Sequence, residues 1–495
     1  MNITELFLQA AEKYPDHIAI QEEKRSITYA QLRDSMHKTA GYFRKKGIQK
    51  GDRVLVFIPM CIDLYRTVLA LFHIGAVAVF LDEWVSRKRL ELCCDLADCT
   101  GFIGIRKARI YSIFSPALRR IPVKLSMNTQ METLFPSAPI EENDPALITF
   151  TTGSTGTPKA ALRSHGFLRQ QFQALMREIQ PTPYDVDMPV LPIVLFMNLG
   201  VGAVSVISPF NQKKPHAESM QKQAACLEKF SIDRITASPY FLYRLAERCL
   251  GDGRDTRGIK KIFTGGAAVF PASADLLLRG FPEADIQIVY GSTEAEPISA
   301  ISAIELAKAH IEETHGLPVG RVNEHIALRI IPVMESNISN EKKELHTMFL
   351  ADREIGEIIV AGPHVLAAYY KNENAFSRNK IIDADRIWHR TGDSGFTING
   401  NLFLTGPCKQ LIRRKDRYIS PFITEYILSF IPGIAAGTII EKNGRLIVFL
   451  ESKHKDVVRL IPTEIPYDEV RFIHRIPRDP RHYSKIDYNK LMEML

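Results

Sequence analysis

Three continuous apolar runs of strand length, Val54-Leu-Val-Phe-Ile58, Val77-Ala-Val-Phe-Leu81 and Phe102-Ile-Gly-Ile105, alternate with segments of helical period. A strand apolar on both faces needs cover on both, so this pattern predicts parallel sheets buried between helices. Leu32, Met36 and Phe43 recur at helical spacing before Gly47, a second helix runs from about Asp63 to Gly75, and a third passes through Arg89 to Leu96. The rhythm resumes after residue 145 with strand candidates at 146–150, 234–237, 261–263 and 286–290, the last two ending in glycine-bearing turns. Ligands of open parallel sheets bind where strand ends meet such turns.

From about residue 316 the texture becomes that of alternating strands, at 327–331, 357–360 and a hairpin over 395–404 turning at Asn399-Gly400. Gly406-Pro407 then punctuates the chain, and the remainder mixes short strands with a terminal helix. The expected class is α/β. A large domain over 1–407, with helix-covered parallel sheets and a β-rich subdomain at about 316–405, precedes a small mobile α+β domain over 408–495.

At 495 residues the chain exceeds one ordinary core. Hydrophobic residues at 45% and charged residues at 24% exclude a disordered chain or one made of membrane spans. The net charge of +7 is mild and comes without basic and aromatic interleaving, so no nucleic-acid partner is expected. Seven cysteines without paired spacing read as buried free thiols. The N-terminus shows neither a basic nor a long apolar signal region, which predicts a cytoplasmic protein. The apolar stretch 190–210 has the length of a membrane span, but Pro192, Gly200 and Gly202 and the lack of basic flanks favour a buried helix or pocket wall.

The segment Thr151, Thr152, Gly153, Ser154, Thr155, Gly156, Thr157, Pro158, Lys159 follows a predicted strand directly. Glycines let backbone N–H groups approach phosphate oxygens, hydroxyls add donors and a lysine adds a point charge, so this loop suits phosphates. It is not a Walker A loop.

The loop resembles the phosphate-binding motif of the adenylate-forming superfamily, which includes acyl-CoA synthetases, peptide-synthetase adenylation domains and luciferases. Further segments follow in that family's order: Gly265-Gly266-Ala267, Tyr290-Gly291-Ser292-Thr293-Glu294, Gly316-Leu-Pro-Val-Gly320, Gly356-Glu-Ile-Ile-Val360, Tyr369-Tyr370 and His389-Arg-Thr-Gly-Asp393. The resemblance implies that Gly265, Gly266 and Ala267 flank adenine and Tyr290 offers it an aromatic face, while Asp393 holds the ribose. It implies that Thr293 donates to the α-phosphate, Glu294 binds Mg²⁺ through a hard oxygen, and Lys485 is the catalytic lysine, delivered by rotation about a hinge at Lys409. The implied reaction is ATP-dependent activation of a carboxylic acid to an acyl-adenylate, then transfer to a thiol of coenzyme A or of an acyl carrier protein's phosphopantetheine. In the same family the segments holding Phe196, Asn198 and Ser238 line the acyl site, and here they are apolar enough for a fatty or aromatic acid. No buried aspartate is evident to pair with an amino acid's ammonium group.

Some residues depart from the family. Gly406-Pro407 stands where Gly-Arg is usual, Lys415 and Asp416 replace a glycine pair that lines the thiol tunnel, and Ser484-Lys485 replaces Gly-Lys. Ser484-Lys485 behind Arg481-His482, together with Gly406-Pro407 and Phe102-Ile-Gly104, is similar to the β-lactone synthetases of bacterial olefin biosynthesis, which implies an alternative fate: attack on the acyl-adenylate by the acid's own β-hydroxyl. A non-catalytic nucleotide-binding relative is a further alternative, against which Lys159, Glu294, Asp393 and Lys485 all stand.

Overall fold

The computed structural model describes residues 2–81, 87–127, 136–152, 158–208, 217–334, 345–384, 386–414, 417–478 and 486–494. The expected class holds: a mixed α/β body built on two large sheets, with a small α+β unit after Pro407. The first sheet has six strands in the order Val123–Leu125, Gly101–Gly104, Arg53–Phe57, Val77–Phe80, Pro145–Thr152 and Pro158–Ser164. All its pairs are parallel except the last. The second has fourteen strands among the described residues. Its parallel part comprises Asp285–Ser292, Lys261–Gly265, Arg234–Ala237, Val186–Pro189, Val204–Val206 and Ile18–Gln21. Beyond Asp285–Ser292 every pairing is antiparallel, through Ala295–Ser302, Leu317–Val322 and Asn401–Pro407 to Ala327–Ile331. The β-rich region therefore continues the parallel sheet instead of forming one of its own, because Ala295–Ser302 folds straight back on its predecessor.

Local chemistry sets the element ends. The helix Tyr29–Lys45 starts at a capping box in which the Thr28 hydroxyl accepts from the Gln31 N–H at 3.3 Å. It buries Leu32, Met36, Ala40 and Phe43 on one face, and losing the Leu32 side chain there costs about 2–5 kcal/mol. Asn399 and Gly400, with φ of 50° and 79°, make the expected hairpin turn. The apolar stretch from 190 becomes the ten-residue helix Pro192–Val201, stopped by Gly202 at φ 96°, and then the strand Val204–Val206. Among the described residues no helix is long and apolar enough to cross a membrane. None of the seven cysteines is joined in a disulfide, and Cys61, Cys226 and Cys408 are only partly buried.

After Pro407 come the hairpin Ile412–Arg414 with Arg417–Ile419, the helix Pro421–Ser429 and a three-stranded sheet of Ala436–Lys442, Arg445–Glu451 and Glu469–Ile473. The helix serves two cores. Ile423 and Tyr426 pack with the main body, where Tyr426 stacks on Phe270 at 4.8 Å, and Leu428 packs under the small sheet.

Candidate active site

Lys261–Gly265 and Asp285–Ser292 run in register, Gly265 opposite Val289, so the turns that follow open on one cavity. At Gly265 a Cβ would lie 2.5 Å from the Val289 carbonyl oxygen, and Gly266 takes φ +82°. Both positions suit only glycine, and together they lay the Gly265-Gly266-Ala267 backbone flat beside the cavity. Ser292 pairs with Ala295. Thr293 and Glu294 are thereby left as a two-residue turn facing the same space.

Groups from two segments fix that turn. Arg163 donates to the Thr293 carbonyl at 2.8 Å and to Thr149 Oγ1 at 3.2 Å. The Tyr369 hydroxyl donates to Glu294 Oε1 at 3.2 Å, and the Leu366 N–H to the Glu294 carbonyl at 2.7 Å. Lys159 Nζ donates to Asn379 Oδ1 at 3.0 Å. The ammonium groups of Lys159 and Lys380 each lie 5.5 Å from the Tyr369 ring centroid. Lys380 is only 4% exposed and donates to the Leu366 carbonyl. Burial pulls its ammonium down to about 7, against Glu294 and with help from Lys159. Burial also lowers Lys159, with Lys409 and Arg378 adding to the effect and Glu294 opposing it. Lys159, Arg163 and Lys380 thus gather around Glu294, an excess of positive charge suited to a polyanion.

Asp393 lies on the strand Arg386–Ile398 opposite Pro407. It accepts the Tyr290 hydroxyl at 2.8 Å, while its own N–H donates to Thr391 Oγ1 at 3.1 Å. Tyr290 departs from expectation. The cavity wall here is made by Val289, Gly291 and Ser292, and Tyr290 is not part of it. Along a strand, neighbours face opposite ways, and the Tyr290 ring packs instead against the β-rich core, its hydroxyl holding Asp393. Burial, reinforced by Asp393, keeps that hydroxyl protonated, well above its ordinary range. Arg390 of the same motif is structural: it donates to Glu357 Oε2 at 2.9 and 2.5 Å in a buried pair.

The cavity measures about 3360 Å³, several times the roughly 300–1,000 Å³ of one small-molecule pocket. Lys159, Gly265, Gly266, Ala267, Gly291, Ser292, Thr293, Glu294, Asp393 and Lys409 line its polar end. The other end is apolar. Leu64, Val68 and Phe72 from the helix Ile62–His73, Leu168, Phe172 and Leu175 from His165–Ile179, and Phe196 from Pro192–Val201 line it, with Ser238 and Tyr240 on a further wall.

Asn198 is a correction to the pocket reading. It is fully buried away from the cavity, donating to Asp187 at 2.7 Å and to Ser205 at 3.0 Å and accepting from Arg234. That network also supplies the buried aspartate the sequence did not reveal. Asp187 is fully buried and its partners are protein groups, Arg234, Asn198 and Thr236. Thr151 and Thr152 end the strand Pro145–Thr152. Gly153, Ser154, Thr155, Gly156 and Lys485 lie outside the described residues.

Arg163 and Lys380 were missed from the sequence. Arg163 was findable, since it sits four residues after Lys159 on one strand and shares its face. Lys380 gave no signal, because only the fold brings the strand Lys380–Asp383 under Tyr369.

Residues 7–370 match the AMP-binding enzyme family. The chain is 27% identical over 463 residues to olefin beta-lactone synthetase of Stenotrophomonas maltophilia, covering 86% of this chain and 82% of that protein. Among solved structures, amide bond synthetase McbA from Marinactinospora thermotolerans superposes with a TM-score of 0.79 at 20% identity, each chain covered over 100% of its length. ATP-bound MatB from Rhodopseudomonas palustris gives 0.80 at 19%, covering 100% of this chain and 99% of that one. With nearly three quarters of its length inside the family match and its whole fold shared with such enzymes, this chain belongs to the AMP-binding enzyme family, the adenylate-forming superfamily.

Proposed function

We propose that this protein uses ATP to activate an apolar carboxylic acid as an acyl-adenylate, releasing pyrophosphate. One observation carries the reading: a single cavity joins a polar end, lined by Lys159, Glu294 and Asp393, to an apolar end lined by three helices. Lys159 neutralises phosphate charge, Thr293 donates to the α-phosphate, and Asp393, held by Tyr290, accepts from the ribose hydroxyls. A carboxylate oxygen attacks the α-phosphorus, and the bond to pyrophosphate breaks. Lys485 stabilises the charge that accumulates between the two anions.

No cluster of three or more metal-ligating side chains occurs among the described residues. Glu294 fits Mg²⁺, an ion held by one or two carboxylates plus substrate phosphates. Bound there, it would neutralise pyrophosphate as the leaving group. Acid-dependent exchange of labelled pyrophosphate into ATP is the expected activity. If no acid from a panel of fatty, β-hydroxy and aromatic acids stimulates exchange, the reading is lost.

For the second step, two features favour closure by the acid's own β-hydroxyl over transfer to coenzyme A or a carrier protein. They are the similarity to an olefin beta-lactone synthetase and the replacement of the glycine pair by Lys415 and Asp416. In that step the hydroxyl oxygen attacks the acyl carbon, AMP leaves and a proton is released. Mass spectrometry of products with and without coenzyme A decides it: a β-lactone in both supports closure, and a thioester formed only with coenzyme A overturns it.

A further inference from the structure

The helix Arg106–Phe114 is built inside out. Helices in globular proteins bury their large apolar residues, yet the only buried residue of this one is Ser112. Ile110, Tyr111, Ile113 and Phe114 are 51%, 42%, 62% and 67% exposed, and Arg106, Lys107 and Arg109 are exposed between them. From Cys99 to Met131 the sequence carries six basic residues and no acidic one. Arg87, at the start of the preceding helix, Arg87–Ala97, donates to the Phe114 carbonyl at 3.3 Å at the edge of the patch and pairs with Glu91 at 3.4 Å.

The patch also touches the site. Its helix follows the strand Gly101–Gly104, and Ile105, Lys107 and Ala108 line the cavity. Lys107 is both exposed and cavity-lining, so the cavity reaches the surface here.

We infer that the exposed face of Arg106–Phe114 docks this protein on anionic lipid bilayers, holding the cavity entrance at the membrane surface. Aliphatic and aromatic side chains interleaved with arginine and lysine fit the boundary between headgroups and acyl chains. A second copy fits poorly, because a two-fold contact would set like charges against each other. On the reading that the substrate is an apolar acid, docking lets it enter from the bilayer. The docking itself does not depend on that reading.

Flotation of the full chain with vesicles tests this, using phosphatidylcholine alone or mixed with phosphatidylglycerol. The wild type is expected to float with the mixed vesicles and not with phosphatidylcholine alone. Arg106→Gln with Arg109→Gln should weaken binding roughly thirtyfold, and Ile113→Ser with Phe114→Ser should abolish it. Thermal unfolding and pyrophosphate exchange with a short, water-soluble acid should stay unchanged in the Ile113/Phe114 variant, which separates failure of docking from failure of adenylation. Wild type that stays down with both vesicles, or variants that float like wild type, overturn the proposal. So does a wild-type dimer that the Ile113/Phe114 variant dissolves, since the patch would then be a protein interface.

Discussion

The two ends of the cavity are made in different ways. The polar end comes from short contiguous segments, Gly265 to Ala267, Gly291 to Glu294 and Asp393, whose geometry is set within a few bonds. The apolar end comes from faces of three helices, with Leu64, Val68, Leu168, Phe172 and Phe196 spread over more than a hundred residues of chain. The difference teaches that chemistry concentrates in local motifs, whereas shape is distributed. Substitutions at the first end should therefore change the reaction with every acid, and substitutions at the second should change only which acid is used.

The largest effect is expected at Lys485. Lys485→Ala should lower acid-dependent pyrophosphate exchange by roughly a hundred- to a thousandfold while sparing turnover of supplied acyl-adenylate. Equal loss of both steps would break the assignment. Asp393→Asn should raise the KM for ATP by about ten- to a hundredfold, the worth of hydrogen bonds to a charged group, to the same extent with every acid. A KM for ATP that varied with the acid would erase the boundary between the ends. Val68→Phe, which adds bulk at the apolar end, should lower kcat/KM about tenfold for long acids and leave short acids and ATP alone. A uniform loss would mean the helix faces do not form the acyl wall.

The smallest effect concerns a carboxyl that serves neither end. Burial pushes Glu425 up to about 7, against hydrogen bonds from Tyr488 and Thr438 that favour its charged form. The folded state therefore binds this proton more tightly than the unfolded chain, whose carboxyl titrates near about 4.3. Its stabilising contribution is full below that value and is lost as pH rises through about 7. Melting temperature should fall over this window, and Glu425→Gln should flatten the fall. An identical slope in the variant would show that Glu425 is not the group responsible.

Much of the body was legible because buried parallel strands announce themselves. Arg234–Ala237 and Ala327–Ile331 occur at the bounds expected, and most other strands differ by a residue or two. The strand Ile18–Gln21 was not visible, because its pairing partner Val204–Val206 lies far along the chain and four residues carry too little pattern. Asn198 misled for a related reason. Its place in an apolar segment pointed to the pocket, but a helix has an inward and an outward side, and only packing chose which one faces Asp187 and Arg234.

By itself the sequence determined the fold class, the ordered nucleotide motifs and hence the family, because each depends on interactions between near neighbours in the chain. Tertiary structure alone decided that Tyr290 holds Asp393, that Lys380 joins Lys159 beside Tyr369, and that the hydrophobic side chains of Arg106–Phe114 face outward. Those facts depend on groups brought together from distant parts of the chain, and on which face each element buries, which local periodicity does not specify.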